Sequence, residues 1–186
     1  MKTVFGLVAA LICGSASNAQ AQASFVGGEA GVATYPGYTG IVMQYSTMFG
    51  IYGGQWLSKN WGWEAAIADL GSIHATGTGA AGHKHAAAAL SAAALGGFDL
   101  GKGTVFGKLG LYRASVKSDG PTLSVTTSTT DFVIGGGYSM SLAEHLVGKI
   151  ELNIYNNVRF QRASAPAGTT DSSTINKLSV GMAYTF

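Results

Sequence analysis

Apolar side chains alternate with small or polar ones along most of the chain after residue 23. Successive side chains of a strand point to opposite sides, so this alternation places an apolar set on one face of each segment. We predict eight strands, each roughly ten residues or slightly longer, enough to cross a bilayer when tilted. They span about Ser24–Thr34, Thr47–Leu57, Trp61–Ser72, Ala87–Asp99, Thr104–Lys117, Thr129–Met140, Leu146–Val158 and Thr174–Phe186.

The connections between these strands alternate in length. The short ones are Ser58–Asn60, Leu100–Gly103 and Ser141–His145, and the long ones cover residues 35–46, 73–86, 118–128 and 159–173. All three prolines fall in the long connections, which supports the strand boundaries because proline cannot donate to a strand ladder. Short turns on one rim and long loops on the other are typical of bacterial outer-membrane barrels.

Composition favours a membrane barrel over a soluble one. Charged residues make up only 11% of the chain, against roughly 25% in soluble globular proteins. No segment after residue 23 approaches 18 consecutive apolar residues, so helical spans are not expected. A soluble sandwich or lipocalin-like barrel would carry charges on its outer face, where this chain has sets such as Ile150, Leu152 and Ile154. The predicted fold is an all-β, eight-stranded, antiparallel up-and-down transmembrane barrel.

The first residues have the layout of a secretory signal peptide. Met1–Lys2 is positive, Val4–Cys13 is apolar, and small residues precede the expected cleavage after Ala23, with Ala21 as the alternative. A lipoprotein site at Cys13 is disfavoured, because Ile12 stands where a small residue is needed. We therefore expect a signal peptide over 1–23 and one barrel domain over 24–186, without cysteine and without disulfides.

Six charged residues share strand faces with small or polar neighbours, which assigns them to the lumen. They are Glu29, Glu64, Lys108, Lys149, Glu151 and Lys177. Interior side chains fill a barrel of eight strands, and unpaired buried charges are costly. Because the set is neutral, we expect a structural salt-bridge plug, with a proton or ion path as the alternative.

Aromatic residues gather near both predicted rims, as amphipathic rings do at lipid headgroups. The expected interface aromatics of the short-turn rim are Trp56, Trp61, Trp63 and Tyr138, accompanied by Phe25, Phe98, Tyr184 and Phe186. The expected belt of the long-loop rim is Tyr35, Tyr38, Tyr112, Tyr155 and Phe160.

Two internal stretches resemble the OmpA/OmpX-like superfamily of eight-stranded outer-membrane barrels. Gly53–Glu64 is similar to its second hairpin, and Gly135–Leu142 with the following Lys149 and Glu151 is similar to its sixth and seventh strands. The resemblance implies lumen salt-bridge positions at Glu64, Lys108, Glu151 and Lys177, whereas Glu29 departs from the family pattern in charge. It also implies that Tyr184 and Phe186 form the terminal assembly signal read by the barrel-assembly machinery.

Catalytic and metal chemistry are not expected. A hydrolase needs a nucleophile, a base and an orienting group within reach of one another. Three of the four histidines, His74, His83 and His85, fall in the second long loop, and His145 lies in a short turn. His83 and His85 could share a strand face and bind a transition metal, but a solvated loop tip is favoured because the surroundings offer no third ligand. We expect no catalytic residue, no cofactor and no metal.

The expected function is that of an integral outer-membrane protein acting through extracellular loops in surface interaction or adhesion. The alternatives are a passive envelope-structural barrel, a narrow small-solute pore and, more remotely, a lipid A-modifying enzyme. Expected partners are outer-membrane lipids and lipopolysaccharide, with a host or envelope protein as a further ligand at the loops. The near-neutral charge argues against nucleic acid. We expect a monomer in the outer membrane of a Gram-negative bacterium, with long loops outside and both termini in the periplasm.

Overall fold

The protein is an eight-stranded barrel, described by a computed structural model at residues 23–35, 43–74, 84–120, 124–161 and 169–186. Its strands are β1 (Ala23–Tyr35), β2 (Gln44–Trp56), β3 (Trp61–His74), β4 (Lys84–Asp99), β5 (Thr104–Asp119), β6 (Ser124–Ala143), β7 (Leu146–Gln161) and β8 (Thr170–Thr185). In these residues, no helix is long and apolar enough to cross a membrane.

Every strand pairs antiparallel with its neighbours in the sequence, and β1 pairs with β8 to close the barrel. Phe25 lies opposite Thr185 in this closing ladder. Beyond it, the Phe186 amide donates to the Ser24 carbonyl at 3.0 Å, and the Ser24 amide donates back at 3.2 Å. The predicted all-β, up-and-down antiparallel topology is confirmed.

Several strands reach further than the alternation pattern suggests. Residues 118–128, predicted as a long loop, are mostly strand, because β5 continues to Asp119 and β6 begins at Ser124, its partner in the ladder. Val125, Thr126 and Thr127 of this stretch favour a pleated conformation. β1 begins at Ala23, the last residue of the predicted signal peptide, and residues 1–22 lie outside the described residues.

The barrel interior has three layers between its two ends. We call the end with the short connections the turn side and the opposite end the loop side. Among the described residues, sixteen buried apolar ones form a loop-side cluster that includes Tyr35, Met48, Leu70, Tyr112, Tyr155 and Phe160. A smaller turn-side cluster contains Phe25, Tyr52, Ala66, Leu95, Phe106 and Ala183, with Trp56 packed against it. Between them lies a charge layer formed by the six predicted lumen residues and their neighbours.

The predicted aromatic belt of the long-loop rim is wrong. Tyr35, Tyr112, Tyr155 and Phe160 are at most 2% exposed and point into the lumen. Tyr112 shares the strand face of Lys108, and Tyr155 shares that of Glu151, so alternation carries them inward. Tyr38 lies outside the described residues. The exposed aromatics on the outer surface of this half are Tyr45, Phe49 and Phe132.

Candidate functional site

The charge layer is centred on Glu151, whose carboxylate forms ion pairs with three lysines. Lys108 Nζ lies 2.8 Å from Oε1, Lys149 Nζ 2.8 Å from Oε2, and Lys177 Nζ 3.3 Å from Oε1. The amide of Asn153 also donates to Oε1. Glu151 is 1% exposed, so this carboxylate depends entirely on protein donors.

The other two acids complete the network around the barrel wall. Glu64 binds Lys108 at 2.8 Å and Lys149 at 2.9 Å, one through each carboxylate oxygen. Glu29 accepts from Lys177 at 2.5 Å and from the Ser179 hydroxyl at 2.8 Å. Each buried carboxylate therefore has at least two donors, the condition under which a buried ionic network is stable.

Glycines on neighbouring strands leave the space that these long side chains occupy. A Cβ added at Gly50, opposite Glu29 in the ladder, would lie 2.9 Å from its Oε1 atom. At Gly135, which pairs with both Lys108 and Asn153, a Cβ would lie 2.0 Å from the Asn153 Oδ1 atom. The glycine-rich strands thus make room for the ion pairs rather than for solvent.

A vestibule opens on the turn side of the charge layer, with a cavity volume of about 320 Å³. Its apolar walls come from the turn-side cluster, chiefly Phe25, Trp56, Leu95 and Phe106. Its floor is Tyr52, Glu64 and Lys149, and the lysine Nζ lies 3.5 Å from the centroid of the Tyr52 ring. The mouth is bordered by residues of the turn between β4 and β5, including Asp99 and Lys102.

Trp56 faces the lumen and not the lipid interface predicted for it. It lies on the β2 face that carries Tyr52 and packs half-buried against the turn-side cluster, so it lines the vestibule. Trp61 is 65% exposed, and Trp63 and Tyr138 alternate with inward-facing residues and lie on the outer face. Tyr184 and Phe186 are exposed and stack on each other, and Tyr184 also contacts the His145 ring.

The β6–β7 seam is the second feature of interest, and it lies at the loop side. The backbone ladder described between these strands ends at Val133–Tyr155, next to a bulge where Asn157 has a φ of 53°. Beyond it, side chains bridge the strands: the Arg159 amide donates to Thr129 Oγ1 at 3.0 Å, and Asn157 Nδ2 donates to Asp131 Oδ2 at 2.9 Å. The seam leaves residues 124–128 of β6 as a strand edge with no described ladder to β7.

His85 is not a solvated loop residue as predicted. It lies near the start of β4, is 1% exposed, and its Nδ1 atom is 2.8 Å from the Ser118 hydroxyl, with its ring edge against Phe160. It shares the inward face of Ala87 and Ala89, because β4 begins earlier than the sequence suggests. His83 lies outside the described residues, and among the described ones no three metal-ligating side chains come together.

Sequence reasoning missed the vestibule and the seam. The vestibule depends on aromatic residues from different strands meeting at one height, which no local pattern shows. The seam depends on the bulge after Tyr155, for which the pair Asn156–Asn157 is the available signal, because asparagine tolerates the left-handed conformation.

Comparison with solved structures shows the fold that this chain shares. The Neisserial surface protein A is 12% identical, with a TM-score of 0.66 over 88% of this chain and 99% of that one. The attachment invasion locus protein Ail of Yersinia pestis, solved with the heparin analogue sucrose octasulfate, is 15% identical, with a TM-score of 0.60 over 90% and 100%. The N-terminal barrel domain of Pseudomonas aeruginosa OprF is 12% identical, with a TM-score of 0.58 over 88% and 97%.

No curated protein matches the chain by sequence. The family described as the outer membrane protein beta-barrel domain matches residues 6–186, nearly the full sequence. With the eight-stranded structural neighbours, this match confirms the predicted resemblance and indicates the outer membrane of a Gram-negative bacterium. The chain belongs to the outer membrane protein beta-barrel domain family.

Proposed function

We propose that this barrel is a surface interaction protein whose contact region is the loop-side end of β6. In this proposal the loop side faces the exterior, and both chain termini lie in the periplasm. The observation that carries it is the β6 edge over residues 124–128, which pairs with β5 but has no described ladder to β7. An unpaired strand edge is a template for an extended peptide, which adds to the sheet through main-chain hydrogen bonds.

The chemistry of this edge suits a protein ligand. Ser124, Thr126 and Ser128 are exposed, and their hydroxyls hydrogen-bond a partner without the cost of burying charge. β5 holds this edge in place, because it pairs with β6 along residues 124–139. A partner strand would therefore meet a preformed surface. The structure of Ail in complex with a heparin analogue supports the idea that barrels of this fold bind external ligands.

Lysine substitutions on this edge test the proposal. Lysines on edge strands oppose strand addition, so the double variant T126K/S128K should lower adhesion at least about tenfold. The measurement is adhesion of bacteria displaying the barrel to serum-coated and epithelial-cell surfaces. S115K is the matched control, because Ser115 lies directly opposite Ser128 on β5, which is paired on both sides. Equal loss in the control, or no adhesion by the unaltered protein, would contradict the proposal.

A passive structural role is the second candidate, and the filled lumen favours it. The charge layer and the loop-side cluster occupy the middle and one half of the lumen, which suits a rigid plug rather than an open pore. Planar-bilayer recordings of refolded protein should then show no stable nanosiemens steps. A detergent-sensitive envelope in a deletion strain with unchanged adhesion would favour the structural role over surface interaction.

We propose further that the chain is not a lipid A-modifying enzyme. The Ser118–His85 pair is the arrangement closest to hydrolase chemistry, but both side chains are at most 4% exposed inside the lumen. An acyl ester at the barrel surface cannot reach the Ser118 hydroxyl. The mass spectrum of lipid A from expressing cells should match that of cells carrying an empty vector, and a deacylated species would contradict this.

Biogenesis completes the proposal. Residues 1–23 act as the signal peptide, and Tyr184 and Phe186 serve as the signal for the barrel-assembly machinery, after which the protein remains a monomer. Their exposed, stacked rings at the end of β8 support this role. Phe186→Asp should sharply lower the heat-modifiable, assembled form in membranes, whereas Phe98→Asp, at another exposed aromatic, should lower it less.

A further inference from the structure

We infer that the turn-side vestibule is a binding site for a small, uncharged, mainly apolar molecule. The site lies on the other side of the charge layer from the β6 edge, so the inference is independent of the proposed function. It rests on the cavity, on its apolar walls and on the balance of charges at its floor.

The size and walls of the cavity fit a compact apolar body. A volume of about 320 Å³ is at the lower end of the range of ligand pockets. Phe25 and Phe106 contribute aromatic walls, and Leu95 and Ala183 line the space between them. Water in contact with such walls gains few hydrogen bonds, so an apolar group that replaces it is favoured.

The floor selects against a charged ligand. Glu64 and Lys149, which line it, are bound to each other at 2.9 Å. Glu151, directly below them, already forms ion pairs with three lysines. A carboxylate or an ammonium group placed here would lack a free counter-charge and would compete with an existing pair. Burying an unpaired charge is costly, whereas a neutral polar end leaves the network intact.

The Tyr52 ring forms part of the floor, but its hydroxyl does not face the cavity. The residue is 4% exposed, and its hydroxyl is fully buried beside β8, where a Cβ added at Gly181 would lie 3.1 Å from it. The Lys149 ammonium covers one face of the ring. The vestibule therefore holds a ligand through its apolar walls and not through this hydroxyl.

Trp56 in the vestibule wall provides a direct readout. In a W61F/W63F background it is the only tryptophan, because the chain has three. The probe is 4-bromobenzyl alcohol, whose bromine quenches tryptophan on contact, added to refolded barrel in lipid nanodiscs. We expect saturable quenching that Ala183→Phe weakens at least about tenfold by filling the cavity. Met182→Phe, one residue away on the outer face, should leave the quenching unchanged.

Two further comparisons keep the inference testable if the Ala183→Phe barrel does not fold. The probe 4-bromotoluene, which lacks the hydroxyl, should bind at least as tightly as 4-bromobenzyl alcohol, because the apolar walls supply the affinity. The anion 4-bromobenzoate should bind at least about tenfold more weakly than the alcohol. Quenching that stays linear and equal in all variants overturns the site. Equal binding of the anion overturns its assignment to uncharged ligands, and about tenfold weaker binding of 4-bromotoluene overturns its assignment to apolar ones.

Discussion

The two halves of the lumen are built from the same eight strands but are packed differently. On the loop side, Tyr112 and Tyr155 meet edge to face with ring centroids 5.1 Å apart, and Tyr35 and Phe160 at 6.2 Å. On the turn side, aromatic residues stand around a cavity. The charge layer between the two halves already blocks the lumen. With the loop-side half packed, the turn-side half can remain open. The difference shows that a barrel of this size can combine a rigid plug with an open chamber.

Hydrogen bonding follows the same division. The Tyr35 hydroxyl donates to the Leu70 carbonyl at 2.8 Å, and the Tyr112 hydroxyl donates to the Asn156 carbonyl. The buried Tyr52 hydroxyl of the turn side has no such partner among the described residues. Polar atoms of the packed half are therefore tied to the backbone of other strands, which makes that half the rigid part of the molecule.

The largest effect on the free energy of unfolding is expected in the charge layer, which separates the two halves. Glu151→Gln removes the charge that three lysines share, which leaves buried ammonium groups without sufficient counter-charge. We expect a loss of about 3–5 kcal/mol in the free energy of unfolding. Urea unfolding of the barrel in lipid vesicles measures it. Glu144→Gln, on an exposed turn residue, is the control, and a similar small change in both would show that the charge layer does not hold the halves together.

A matched pair of phenylalanines tests the comparison itself. Phe160→Ala in the packed half should leave a cavity and cost about 3–5 kcal/mol. Phe106→Ala should cost less, about 1.5–3 kcal/mol, because one side of its ring already faces the vestibule. The same urea titration compares both variants. Equal losses would mean that the two halves are equally packed.

Much of this architecture was predictable from period-two alternation. Alternation identified the six lumen charges and the outward set around Leu152, which is 47% exposed. Alternation also places Tyr112 and Tyr155 inward, whereas the tendency of aromatic residues to mark membrane depth predicts the opposite direction. The inward direction of Phe160 could not be predicted from alternation, because the bulge after Tyr155 changes which alternate residues of β7 point inward. The ion pairs depend on how far strands are staggered at closure, and no single strand carries that information.

Substitutions that enlarge a buried side chain should cost more stability in the packed half than in the vestibule. Ala114 is fully buried in the packed half, so Ala114→Leu should cost about 1–3 kcal/mol by overpacking. Ala183 lines the vestibule, where a leucine side chain finds space, so Ala183→Leu should change the free energy of unfolding by less than about 0.5 kcal/mol. A cost in Ala183→Leu equal to that in Ala114→Leu would show that the vestibule is not open.

The smallest effect on stability is expected where β5 ends and β6 begins, at the exposed loop-side end of the sheet. The Ser124 hydroxyl and the Lys117 ammonium hold the pKa of Asp119 below its usual range. A lowered pKa means that this carboxylate supports the hairpin above about pH 4 and that the support is lost as the pH falls through the lowered value. The protection of amides near Ser124, measured by NMR in nanodiscs relative to their intrinsic exchange rates, should therefore fall in acid. Asp119→Asn should remove this pH dependence, and its persistence would point to another group.

The pairing of β1 with β8 has a consequence for how the chain folds. Glu29 and Lys177, which meet at this closure, lie 148 positions apart in the sequence. Hairpins such as β4–β5 need only local contacts, whereas closure requires nearly the whole chain to be in place. Contacts of such high sequence separation form slowly, and until then both edge strands stay open to wrong partners. We expect cylinder closure to be the rate-limiting step of folding and the stage at which unassisted refolding aggregates.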